Sequence, residues 1–231
     1  MKKFGIIIFV VALLVGVVFA NLFSFGKASA RFFNISFNSI AGSGVAATES
    51  RNVSEFKGID VGGVFQVEVT AGKDYGVVVE ADDNLLQYVK TEVSGGVLKI
   101  SSTERLKSGT PLRIRVSAPD IESIRASGAC KISVADVKSS ELRVDTSGAS
   151  KVNLAGEASS VTIGISGASN IDAANLKAEN ATVEASGASK VEVFVTGKLV
   201  SEASGASKIS YSGNPTSVTK DTSGAGKVSQ K

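Results

Sequence analysis

The chain has 231 residues, 43% of them apolar, with 25 basic and 22 acidic side chains, 24 glycines and three prolines. That is the size and apolar content of one folded domain, not of a disordered chain. It has no histidine and one cysteine, Cys130, which excludes Ser-His-Asp and Cys-His catalysis, histidine-built zinc sites and an intramolecular disulfide.

Lys2 and Lys3 precede an apolar run from Phe4 to Ala20, the pattern of an export signal. Two small-residue sites, Val18-Phe19-Ala20 and Ala28-Ser29-Ala30, suit cleavage. The 22 residues from Phe4 to Phe25 also meet the length of about 20 that an uncleaved membrane anchor needs. Both readings of residues 1–30 stay open, and both place the remainder outside the cytoplasm, with the membrane touched only through residues 4–25. Beyond residue 30 the chain carries 22 basic and 22 acidic residues, so it lacks the excess charge that drives nucleic-acid binding. Residues 31–50 are Gly- and Ser-rich after a small aromatic cluster and read as a linker. The domain proper is then 51–231.

Residues 51–120 read as β-structure without a repeat. Phe65, Val67 and Val69 alternate with Val64, Gln66 and Glu68, which predicts a strand with one buried face. Gly72-Lys73-Asp74 marks a turn into Val77-Val78-Val79. Asp82-Asp83-Asn84 reads as the side-chain cap of a short helical turn over 85–89, and Gly95-Gly96 as a tight hairpin. Leu112, Ile114 and Val116 form a further strand. These strands are expected to continue or to cap the second half of the domain.

From residue 121 an internal repeat dominates. Ser-Gly-Ala recurs at 127–129, 147–149, 166–168, 186–188, 204–206 and 223–225, with glycine spacings of 20, 19, 20, 18 and 19. The extended motif reads SGACKI, SGASKV, SGASNI, SGASKV, SGASKI and SGAGKV. A period near 19 built from segments that alternate with period 2 predicts an all-β, parallel β-helix: a β-solenoid with rungs of about 19–20 residues. The motif glycine is expected at a tight corner. By parity the serine after it (Ser150, Ser169, Ser189, Ser207) points inward with Val and Ile. Cys130 holds the same slot and reads as buried and inert. Lys131, Lys151, Lys190, Lys208 and Lys227 point outward, with Asn170 interrupting the row. Six residues before each stand Arg125, Asp145, Gly164, Glu184, Glu202 and Asp221, so the acid and the lysine are missing from the same rung. This pairing reads as charge compensation between two solvated stripes. The alternative is a lysine strip that binds an anionic glycan or lipid headgroup. In the last repeat Lys220 takes an inward position and Gly226 replaces the inward serine, an irregular end that blunts the open edge.

The segment FKGIDVGGVFQVEVTAGKDYGVVVEADDNLLQYVKTEVSGGVLKI and the serial SGAS-K/N-V motifs after it resemble the auto-transporter adhesin head GIN domain family. The likeness runs from about residue 43 to 229. The resemblance implies a β-solenoid and an envelope location, and brings no catalytic residues. Relatives often carry Asp at the motif lysine. A self-transporting chain needs a C-terminal membrane barrel, and this sequence ends just after the last repeat, so self-transport is not expected. The function expected is a non-enzymatic, adhesin-like binding or structural protein of the cell envelope without a cofactor. An envelope glycan or a protein is its partner, and self-association into a scaffold is an alternative. A polysaccharide-acting enzyme is a further one, for which Asp82-Asp83 and Asp145 with its ladder neighbours are the candidate carboxylates.

Overall fold

Glycine makes the corners of this fold, and the corners stack. The computed structural model describes residues 39–231; the expected export segment 1–30, and residues 31–38 of the expected linker, lie outside the described residues. Gly128, Gly148, Gly167, Gly187, Gly205 and Gly224 all have positive φ, between 65° and 97°. That region is open to glycine and strained for most other residues. At Gly167 a Cβ would lie 2.4 Å from the carbonyl oxygen of Gly148, and at Gly187 2.6 Å from that of Gly167. The backbones of successive corners therefore touch. Each is also bonded to the next, Ala149 N donating to Gly128 O and Ala168 N to Gly148 O, both at 2.8 Å.

Between corners the chain runs as long bent strands: β11 (Lys131–Thr146), β12 (Lys151–Ile165) and β13 (Asn170–Ala185). They stack in parallel and in register, with bulges at Val134/Val137 and Asn153/Ala155 where the chain bends into the next face. Asp136 (φ 59°) and Gly156 (φ 134°) supply those bends. In the last rungs the bends become breaks. β14 (Lys190–Val195), β15 (Lys198–Ala203), β16 (Lys208–Ser212), β17 (Ser217–Thr222) and β18 (Lys227–Gln230) continue the same columns. The result is the expected all-β solenoid, of about five turns. Its core is a thin stack of Ile, Val, Leu and Ala. One column runs Ile59, Ile124, Val144, Ile163, Val183 in register, each at most 1% exposed. Rungs this small leave little room for aromatic rings, which accords with the absence of Trp.

The first half both continues and caps the stack, in an order the sequence does not show. β3 (Gly58–Gly63) and β4 (Gln66–Ala71) pair in parallel with β10 (Ser123–Gly128) and β11. β7 (Val97–Ser102) and β9 (Arg113–Ala118) stack outside β3 and β4. The chain thus lays down an inner rung, passes outward, and returns inside at β10. Antiparallel strands then close the end: β6 (Val89–Ser94) on β7, and β5 (Gly76–Asp82) on β9. Gly95 and Gly96, both with positive φ, make the predicted hairpin between β6 and β7. Gly72-Lys73-Asp74 makes a turn, but β4 and β5 are not partners, because β9 lies between them.

Two expectations are corrected in this region. Part of the expected linker is structured: β1 (Ser39–Ala41) pairs with β8 (Arg105–Lys107), and β2 (Ala46–Arg51) is the outermost strand on β5. Its composition was that of a linker, but an edge strand has one solvated face and tolerates polar residues. The 3-10 turn Leu86–Tyr88 has no side-chain cap. Asp82 is buried and accepts from Ser108 Oγ (2.8 Å) and Thr110 Oγ1 (3.3 Å). Asp83 accepts from the Ser43 hydroxyl, and Asn84 bonds Ala41 O and Ser43 N. Asp83 and Asn84 thus tie the β1–β2 loop to the cap, and Asp82 ties down the β8–β9 loop through Ser108 and Thr110.

Val183→Asp places an uncompensated carboxylate in the core and should destabilise the domain by more than about 4 kcal/mol, read as loss of the β circular-dichroism signal. Gly167→Ala should cost at least about 2 kcal/mol in urea unfolding. Gly72→Ala, at the same φ of 75° but with no atom within 4 Å, should cost only about 1–2 kcal/mol. Equal losses at the two glycines would mean that the stacking contact has no energetic weight.

Candidate functional site

Stacking turns every motif position into a row with a spacing of about 4.8 Å. Three rows meet at the Ser-Gly-Ala corner. On one side Asp60, Arg125, Asp145, Gly164, Glu184, Glu202 and Asp221 are in register. Two residues on, and so on the same face, stand Ser127, Ser147, Ser166, Ser186 and Ser204. Together these two rows line a groove of about 640 Å3 that runs along the solenoid. On the other side of the corner Lys131, Lys151, Asn170, Lys190, Lys208 and Lys227 are in register. All five lysines are exposed. The motif corners between the two sides are Ser, Gly and Ala, all exposed except the half-buried Ser186 and Ser204.

The groove is lined by carboxylates and serine hydroxyls, with the Arg125 guanidinium among them. Ser127, Ser166, Ser186 and Ser204 each donate their hydroxyl to a carbonyl of the preceding rung, Val61 O, Thr146 O, Ile165 O and Ala185 O, at 3.4–3.5 Å. These contacts are long for O–H···O bonds, and each hydroxyl keeps lone pairs that can accept from the groove side. The carboxylates add more acceptors. Asp145 is held by Arg143 through Nε (2.8 Å) and Nη2 (3.0 Å), and lies 3.9 Å from Arg125. Its Oδ1 leans over the next rung, 2.8 Å from where a Cβ of Gly164 would be. Gly164 is therefore more than a gap in the acidic row: it makes room for the Asp145 carboxylate. Among the described residues no three metal-ligating side chains converge. Asp82 and Asp83 belong to the cap and do not join this face.

The ion pairs do not cross the corner, contrary to the expected mutual compensation. Lys190 reaches Glu192 on its own strand at 2.7 Å, and Lys231 reaches the same carboxylate. Lys131, Lys151, Lys208 and Lys227 pair with no acid within 4 Å among the described residues. The two rows stand on opposite sides of a tight corner and no side chain bridges it, which spacing along the chain does not reveal. The row of first motif serines was not singled out from the sequence. The signal that could have found it is parity, since Ser147 and Ser186 share the face of Asp145 and Glu184.

The inward row serves the corners. Ser150 Oγ donates to Gly128 O (3.4 Å) and Ser147 O (3.3 Å), Ser169 Oγ to Gly148 O (3.3 Å) and Ser207 Oγ to Ala185 O (3.1 Å). Cys130 Sγ takes the same place, 3.4 Å from Gly63 O and 3.3 Å from Ser127 O. Burial pushes its thiol pKa up, against a backbone hydrogen bond from Phe65, so the thiol is buried and protonated as expected.

Glu192 gives the lysine side a pH dependence. Hydrogen bonds from Lys190 first and Lys231 second hold its carboxyl down, from the usual 4.5 to about 2. A depressed carboxylate stabilises the fold above its unfolded value, and that contribution is lost as pH falls from about 4.5 to about 2. Thermal melts across this window should show that loss in the native chain and a flatter profile in Glu192→Gln. Parallel profiles would remove the role given to this carboxylate.

The family described as "Putative auto-transporter adhesin, head GIN domain" matches residues 55–215. Three solved structures share the fold. One from Bacteroides fragilis, described as a "putative adhesin", is 21% identical, with a TM-score of 0.67, and covers 84% of this chain and 100% of its own. One from Parabacteroides distasonis with the same description is 21% identical with a TM-score of 0.53, at the same coverage of both chains. Another from Parabacteroides distasonis, described as a "putative lipid binding protein", is 18% identical with a TM-score of 0.51, again covering 84% and 100%. No curated protein matches the chain.

Proposed function

The chain belongs to the auto-transporter adhesin, head GIN domain family, and from that membership we propose that it is a non-catalytic, adhesin-like binding protein acting outside the cytoplasm. The apolar run from Phe4 to Ala20 behind Lys2 and Lys3 supports export. The observation that carries the binding role is the acceptor-rich groove. It offers carboxylates and serine oxygens in two parallel rows over successive rungs, so it suits an extended partner that presents hydrogen-bond donors in a row, such as an envelope glycan or a protein. The carboxylates follow one another rung by rung and do not converge on one point, which favours holding a partner over cutting one. Regular repetition also allows the partner to bind in several registers, as adhesion to a polymer requires.

Two measurements test this reading. Protease treatment of intact cells should remove an epitope placed near the C-terminus. Its survival even after the envelope is permeabilised would place the domain inside the cytoplasm and overturn export. Glu184→Gln combined with Glu202→Gln should reduce retention on protein-free envelope glycan about tenfold, the scale of one or two lost charge-assisted hydrogen bonds. Undiminished retention of that variant would remove the groove from the binding role.

A further inference from the structure

The two charged rows share their pitch and also their gap. The rung of Ser166-Gly167-Ala168 lacks both the acid (Gly164) and the lysine (Asn170), while the rungs of Asp145, Glu184, Glu202 and Asp221 have both. Contact within one chain does not explain this match, because no ion pair crosses the corner and four of the five lysines have no acidic partner among the described residues. A two-fold axis running along the stacked corners does explain it. Such an axis lays two copies corner to corner with their rungs level. The lysine row of each copy then faces the acidic groove of the other, twice over, and each rung meets itself. Asn170 meets Gly164, and every lysine from Lys151 onward meets an acid. Only the first rung brings like charges together, Lys131 against Arg125, and Arg125 stands in register between Asp60 and Asp145.

We propose that the groove receives the lysine row of a second copy of this chain, in an isologous two-fold contact along the Ser-Gly-Ala corners. The proposal rests on the reading of the groove as a binding surface and names its occupant. Groove chemistry agrees: ammonium groups carry only donors, and the groove offers carboxylates and serine lone pairs. Corner chemistry agrees as well, since side chains no larger than Ser and Ala let two backbones approach closely. An isologous patch closes on itself as a dimer and does not grow into a fibre. The strip is roughly 30 Å long and 15–20 Å wide, on the order of 500 Å2 per copy, the size of a weak reversible contact. Its charge pairs make it sensitive to salt.

Ala188 lies on an exposed corner, beside the proposed axis. In the full chain, in dilute detergent solution under mild oxidation, Ala188→Cys should form at least tenfold more disulfide-linked dimer than Ser159→Cys, which sits on a distant face. The yield should fall in 1 M salt, where the screening length shrinks to about 3 Å. Two charge reversals test the pairing within the same two rungs: Glu202→Lys with Asp221→Lys, and Lys208→Glu with Lys227→Glu. Each, added to Ala188→Cys, should abolish the crosslink alone, and an equal mixture of the two should restore it. Charge compensation confined to one chain would leave crosslinking indifferent to the reversals. No excess of Ala188→Cys dimer, or no rescue on mixing, overturns the second copy as occupant. Loss of glycan retention in Glu184→Gln with Glu202→Gln would then still stand for the groove itself.

Discussion

The backbone contact between corner glycines governs this structure. Each corner lies so close to the one before it that a Cβ on Gly148, Gly167 or Gly187 would fall within 2.6 Å of a carbonyl oxygen. The positive φ turns the chain and the missing side chain lets the turns touch. Together they set a common level for every rung. With the level set, the parallel ladders on either side of the corner form in register, and Ser150, Ser169, Ser207 and Cys130 add inward hydrogen bonds to corner carbonyls that also accept from the backbone of the next rung.

Register has a chemical consequence. A residue type repeated in the motif becomes a row on the surface, so a modest motif generates a long, uniform face. The same mechanism makes lysines neighbours at about 4.8 Å, a repulsive arrangement for one sign of charge. In this protein the repulsion is only partly relieved, by Asn170 in the middle of the row and by Glu192 between Lys190 and Lys231. The acidic side is relieved differently. Arg125 and Arg143 hold Asp145, and Gly164 leaves room for its carboxylate. Both rows remain largely unpaired and face solvent, which is the condition for an outside partner to bind them.

The two ends of the stack solve the edge problem by different means. At the start, antiparallel strands β5 and β6 cover the last parallel ladders, buried Asp82 fastens the β8–β9 loop, and Asp83 and Asn84 fasten the β1–β2 loop. At the other end β17 is exposed throughout. Lys220 stands exposed at the end of the inward column, after Val183 and Ser201, with its ammonium 4.9 Å from the centre of the Tyr211 ring. An inward charge on an edge strand discourages further strand addition. Growth of the stack end to end is thereby opposed, while its long faces stay available.

Periodicity alone determined the solenoid. Ser-Gly-Ala at intervals of 18–20 residues with period-2 alternation between them leaves little else possible, because local parity decides which side of a strand is buried and a repeat copies that decision rung after rung. The inward places of Ser150 and Cys130 and the outward place of Lys151 were legible for the same reason. Other features depended on contacts between residues far apart in the chain, which no local pattern encodes. β10 returns to pair with β3 some 65 residues upstream, Ala46–Arg51 forms an edge strand where composition suggested a linker, and the Asp82-Asp83-Asn84 side chains reach the β8–β9 and β1–β2 loops and leave the helical turn uncapped. The groove was hidden too, since its walls come from successive rungs. Above all, six residues of sequence separate Asp145 from Lys151, but only the turn at Gly148, where φ is positive, decides that the two charges stand on opposite sides of a corner and do not pair.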